Sequence, residues 1–164
     1  EQQFQGASAY AEHHYRQGVR PRLVVNLDEL STGHMKGIVL GFPHLRELVQ
    51  RQFDTMNDGL QCHVNSQLDP TSDHFPFLRA GIDAAFLWRW RFYGRHADAE
   101  FHHERGDTPD KVNVRELKEY VGQLARILLR LSLVPPGEWP ENRLTPNQVR
   151  ARLDDERGTV VRVF

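Results

Sequence analysis

At 164 residues the chain is long enough for one domain with its own core, and a hydrophobic fraction of 39% with 26% charged residues describes an ordinary globular protein rather than a disordered one. A formal net charge of -1, from 21 Lys and Arg against 22 Asp and Glu, gives no pull toward nucleic acid or an anionic membrane surface, and no stretch approaches the roughly 20 apolar residues of a membrane span. A single cysteine, Cys62, excludes an internal disulfide and argues against a thiolate metal site, so any metal is expected on His, Asp and Glu.

The chain opens with Glu1-Gln2-Gln3-Phe4, without an initiator Met and without the basic and apolar regions of a secretion signal, so residue 1 reads as a cut. Phe4, Ala7, Ala11 and Tyr15 recur at helical spacing with Tyr10 beside them, and Gly18 with Arg20-Pro21 is a stop signal; a helix is predicted over residues 3–17. Leu23-Val24-Val25-Asn26-Leu27 reads as a short buried strand that ends at Asp28. A second strand is predicted over residues 37–41. Pro43 then opens a helix whose stripe is Leu45, Leu48, Val49, Phe53 and Met56, ended by Asn57-Asp58-Gly59.

Residues 60–65 alternate like a strand, residues 75–80 form a short helix, and residues 82–88 form the next apolar strand after a turn at Gly81. Residues 89–112 are aromatic, basic and His-rich without periodicity, which fits a long functional loop. Asn113 followed by Glu116 opens the cleanest helix, with Val114, Leu117, Val121, Leu124, Leu128 and Leu131 along one face as far as Pro135-Pro136. Thr145-Pro146 starts a last short helix that Gly158 is expected to end, with a strand over residues 159–164.

Alternating strands and helices predict an α/β layered fold with a largely parallel sheet. Ligands of such sheets bind outside the C-terminal ends of the strands, where Asp28 and the loops around residues 70 and 100 converge. Residues 1–134 are read as the body of the domain and residues 135–164 as an extension packed on it.

Three segments carry chemistry-bearing residues: Val25-Asn26-Leu27-Asp28; Ser72-Asp73-His74-Phe75-Pro76-Phe77-Leu78-Arg79-Ala80-Gly81-Ile82; and Phe101-His102-His103-Glu104-Arg105-Gly106-Asp107-Thr108-Pro109-Asp110-Lys111-Val112. Taken alone, an acid after a strand reads equally as a turn residue or a helix cap, and a His-His pair in a loop reads as solvated imidazole. Ser72 or Asp73 as a helix N-cap, with Pro76 in the first turn, explains much of the second segment.

Together and in this order, the three segments resemble metallopeptidase family twenty-eight, the co-catalytic zinc aminopeptidases and their carboxypeptidase relatives. The resemblance implies a three-layer α/β/α zinc peptidase architecture with a mainly parallel central sheet, incomplete at the N-terminus, and two zinc ions per complete domain. It assigns Asp28, at the end of Asn-Leu-Asp, to zinc. It selects His103 over His102 as the last ligand, because the family's ligand His precedes an acidic residue by four positions and Asp107 stands there. Gly6, Ala9 and Tyr10 align to the helix that follows the family's paired glutamates, which puts Glu1 on the zinc-binding second glutamate and the general base just before it; Gln3, Gln5 and Ala7 depart from that pattern.

Asp73, His74 and Asp107 are read as residues that order the loops or line the substrate pocket. Asp107 is a candidate either for accepting from the second ring nitrogen of His103 or for ordering the loop, and the spacing does not decide which. The activity implied is hydrolysis of N-terminal peptide bonds by a di-zinc-activated water, on peptide substrates, with part of the site supplied upstream of residue 1 by the missing N-terminal half of the domain. A secreted or periplasmic location is slightly favoured by the resemblance. The aromatic and basic run from Trp88 to Arg95 is read as a strand end packing against a loop or as a wall of a substrate pocket, rather than as a nucleic-acid surface. Two alternatives stay open: a glutaminyl cyclase-like enzyme with one zinc, and a non-catalytic peptidase-like binding module.

Overall fold

The computed structural model of the chain describes residues 4–16, 18, 20–28, 30, 35–59, 61–88, 104–141 and 144–160. Among the described residues five α-helices and four strands follow one another as α1 (Gln5–Arg16), β1 (Val24–Asn26), β2 (Gly37–Leu40), α2 (Arg46–Asp54), β3 (His63–Ser66), α3 (Phe75–Arg79), β4 (Ala84–Trp88), α4 (Val114–Ser132) and α5 (Pro146–Val160). Short 3-10 turns at Pro43–Leu45, Pro109–Lys111 and Pro136–Glu138 each begin at a proline, whose fixed φ suits a first helical position.

The sheet has the strand order β1-β4-β2-β3. β1 runs parallel to β4 and β2 parallel to β3, but β2 and β4 are antiparallel. Two of the three pairings are thus parallel, in keeping with the largely parallel sheet expected from element order, and the β2–β4 pair is the exception. The connection over residues 27–36 is shorter than the dozen or so residues that a parallel crossover needs.

Successive strand residues face opposite ways, and here they enter two apolar clusters. Val25, Ile38, Leu40, Val64, Ala85 and Leu87 join residues of α2 and α4 in one, including Leu48, Val49, Tyr120, Leu124, Ile127 and Leu131. Val24 and Ala84 join Ala11 of α1, Phe77 and Leu78 of α3, and Val149 and Leu153 of α5 in the other. At ~25 cal/mol per Å² of apolar surface buried, each fully buried Leu or Ile contributes roughly 1.5–3 kcal/mol.

Two glycines are fixed by close approach. Gly37 has φ 147°, and a Cβ there would lie 1.7 Å from the backbone oxygen of His63 on the paired strand. A Cβ on Gly41 would lie 2.3 Å from Leu78, so the bare backbone lets α3 seat on the sheet.

The outer edge of β3 is closed by α2. The parallel pairing turns the Val64 N–H and C=O away from β2; Gln50 Oε1 accepts from the Val64 N–H at 2.8 Å and Arg46 Nε donates to the Val64 C=O at 3.0 Å. Gln50 Nε2 also donates to the Cys62 carbonyl at 3.0 Å. Cys62 itself is buried, and burial with the nearby Asp58 charge pushes its thiol up from the usual range.

α4 is capped as the sequence predicts: Asn113 Oδ1 accepts from the N–H groups of Arg115 and Glu116 at 3.1 and 3.2 Å. Its buried stripe, however, is Tyr120, Leu124, Ile127 and Leu131, while Val114, Val121 and Leu128 are exposed. Both stripes have helical spacing and share Leu124 and Leu131; they differ in taking Tyr120 and Ile127 rather than Val121 and Leu128. α4 is tied to the segment that follows α2 by Arg126, which donates to Asp58 at 3.0 Å, and by Arg130, which donates to Thr55. α5 continues through Gly158 rather than ending there; one glycine in a helix costs only about 1 kcal/mol. Of residues 159–164, expected as strand, Thr159 and Val160 are helical instead, and residues 161–164 lie outside the described residues.

Candidate metal centre

Asn26 closes β1 and Asp28 follows two residues later, so their side chains project to the same side as Val24, toward α3. Leu27 between them is exposed. The loop before α3 comes back across this side and delivers Ser72, which is 6% exposed, between the two. Ser72 Oγ donates to Asp28 Oδ2 at 2.6 Å, and Asn26 Nδ2 donates to Ser72 Oγ at 2.7 Å.

The direction of both bonds follows from donor chemistry. An ionised carboxylate only accepts, so the hydroxyl gives its one proton to Asp28; its lone pairs then face Asn26, which must present its NH2 end. The Ser72 bond has the short length of a charge-assisted O–H···O⁻ contact. Ser72 is thus spent on Asp28 and not on a helix cap: α3 has no side-chain N-cap bond, although Pro76 does sit in its first turn as expected.

His74 is buried, its ring 4.7 Å from that of Phe86, the residue in register with Asn26 across β1 and β4. Asp73, beside it, is exposed. β1 and β4 are parallel neighbours, so Asp28 and the segment that follows Trp88 leave the sheet at the same end. The far side of that segment is described from Glu104. Asp107 is exposed, and its N–H donates to the Glu104 carbonyl at 3.0 Å in a turn. Thr108 and Lys111 both donate to the Asp110 carboxylate, which holds it down from 3.8 to about 2. Three residues on, Asn113 caps α4.

Glu1, His102, His103, Trp90, Phe92 and Tyr93 lie outside the described residues, so of the expected ligands only Asp28 has a described position. Among the described residues no three His, Cys, Asp or Glu side chains gather to hold a metal ion. A cleft of about 410 Å³ lined by Arg20, Arg22, Asp83, Trp139 and Glu141 opens at the other end of β1 and β4, away from Asp28.

The sequence profile described as Peptidase family M28 matches residues 1–128, from the segment before α1 to the last turns of α4. The chain belongs to peptidase family M28. No curated protein and no solved structure matches it. Membership makes the chain part of a metallopeptidase family whose members are generally zinc-dependent and act on peptides.

Asp28 has the chemistry that an M28 zinc centre needs from a carboxylate ligand. Its Oδ2 is anchored by Ser72, the kind of outer hydrogen bond that orients a ligating carboxylate. Asn26 and Ser72 were not read as site residues in the sequence. The signal was present: a polar residue two positions before a carboxylate on a strand shares its side.

Proposed function

We propose that this M28 chain contributes to an aminopeptidase centre in which Asp28, His103 and Glu1 ligate zinc, two ions being bound per complete domain. The observation that carries the reading is the junction of two of the three sequence segments: Ser72, from the Ser-Asp-His stretch, holds the carboxylate of the Asn-Leu-Asp stretch at 2.6 Å. The third segment follows β4, whose C-terminal end lies beside that of β1, which supports a role for His103 at the same place.

Zinc, when bound, lowers the pKa of a water toward ~7 and polarises the scissile carbonyl. Asp28 supplies negative charge through an oriented oxygen, and Ser72 and Asn26 keep that orientation. In a complete centre the family's first glutamate, aligned just before Glu1, would serve as the general base. Asp107 orders the loop after His103, and His74 supports the strand end from behind Phe86. The same reading includes a three-layer α/β/α arrangement, residues 135–164 as an extension on one domain, and a secreted or periplasmic location.

The test is zinc content by mass spectrometry and hydrolysis of aminoacyl-nitroanilides, on the full-length protein and on its Asp28→Ala and His103→Ala variants. Two zincs per chain, with metal and activity lost in both variants, is the expected result. One zinc with cyclisation of an N-terminal Gln peptide points to a cyclase instead, and no metal with no turnover points to a binding module.

A further inference from the structure

We propose that Asn26 is a positioning residue for the Asp28 carboxylate, acting through the Ser72 hydroxyl; the inference rests on the reading of Asp28 as a zinc ligand. Asn26 is the last residue of β1 and is held in register with Phe86 by parallel pairing, so its side chain is carried by the sheet rather than by a loop. Ser72 sits on a loop, and an unaided hydroxyl rotates freely among its staggered positions. The Asn26 N–H, 2.7 Å from Ser72 Oγ, occupies a lone pair and leaves the proton directed at Asp28 Oδ2, 2.6 Å away.

The chain of donation runs one way, from sheet to loop to carboxylate. Asp28 χ2 is a broad torsion by itself; with Oδ2 fixed, Oδ1 is presented in one direction. Asparagine suits this place better than its neighbours in shape. Aspartate would compete for the Ser72 proton and set a second negative charge beside Asp28, and leucine would leave a buried hydroxyl lone pair without a donor. The two-residue spacing of Asn26 and Asp28 lets one strand end hold both ends of the relay with Ser72 between them.

A relay and a simple loop anchor differ in what they move. The experiment measures zinc dissociation constants by competition with a chromophoric chelator, on the zinc-loaded full-length protein and its Asn26→Ala, Ser72→Ala, Asn26→Ala/Ser72→Ala, Ser72→Thr and Asp28→Ala variants. Urea midpoints of the metal-free forms run in parallel. Outer partners of metal ligands are worth about 10–100-fold in affinity. Asn26→Ala is expected to weaken zinc about tenfold, Ser72→Ala at least as much, and the double variant no more than Ser72→Ala alone; Ser72→Thr recovers most of the loss.

Asn26→Ala within twofold of the parent overturns the relay, as do Asn26 and Ser72 losses that multiply. A lowered urea midpoint with unchanged zinc affinity also overturns it, because Asn26 then only fastens the loop. If Asp28→Ala binds zinc as tightly as the parent, the zinc reading fails and the relay falls with it. If Asp28→Ala loses zinc and Asn26→Ala does not, only the relay fails.

Discussion

Asp28 and Asp110 are both carboxylates held by hydroxyl donors, yet they sit in different surroundings. Asp28 is half-buried, with one oxygen on Ser72. Asp110 is fully exposed, and Lys111 and Thr108 hold its carboxyl at about 2, against 3.8 when unperturbed. A depressed folded-state pKa contributes stability that is fully present above 3.8 and is lost as pH falls through about 2. Asp110→Asn should therefore melt below the parent at pH 5 and converge with it near pH 2, as followed by circular dichroism. Because the group is exposed, 1 M salt should shrink the gap. At this scale the sequence was legible where a residue has one role. The cap at Asn113 was read directly, but Ser72 has two plausible roles, cap and carboxylate anchor, and only the return of its loop to β1 decides between them.

Among the elements, α4 and β2 show how far local pattern reaches. Asn113 satisfies two N–H groups of the first turn, and Asn113→Ala should cost about 1 kcal/mol in urea unfolding, with Asn113→Ser restoring most of it. Which face of α4 is buried was misread, because two stripes one residue apart both fit a 3.6-residue period, and what separates them is the surface that the helix meets. β2 is short, yet its first residue bears a strict constraint. Gly37→Ala puts a methyl into the His63 carbonyl at a positive φ and should lower stability by at least ~2 kcal/mol or part β2 from β3, read as lost amide protection in both strands. The reversal between β2 and β4 was not legible from element order. It depends on the length of a connection and on which strand the chain meets on its return.

For the whole molecule, residues beyond the family match are fastened to those within it. Val149 of α5 is fully enclosed with Ala11, Phe77 and Leu78, and Arg22, just before β1, stacks over Trp139 at 5.6 Å and donates to the Pro136 carbonyl. Val149→Asp should thus destabilise α1, α3 and α5 together, by about 3–5 kcal/mol, with one cooperative transition in calorimetry rather than a separate early melting of the C-terminal helix. The two borders of the sheet are unlike. At β3 both outward groups of Val64 are consumed by Arg46 and Gln50. At β1 the parallel register with β4 turns the Val25 amide outward, beside a groove of about 410 Å³ floored by Leu23, Leu128, Leu131 and Trp139. Among the described residues the sheet is therefore asymmetric: side chains of α2 answer the outward backbone of β3, whereas the outward backbone of β1 borders apolar surface.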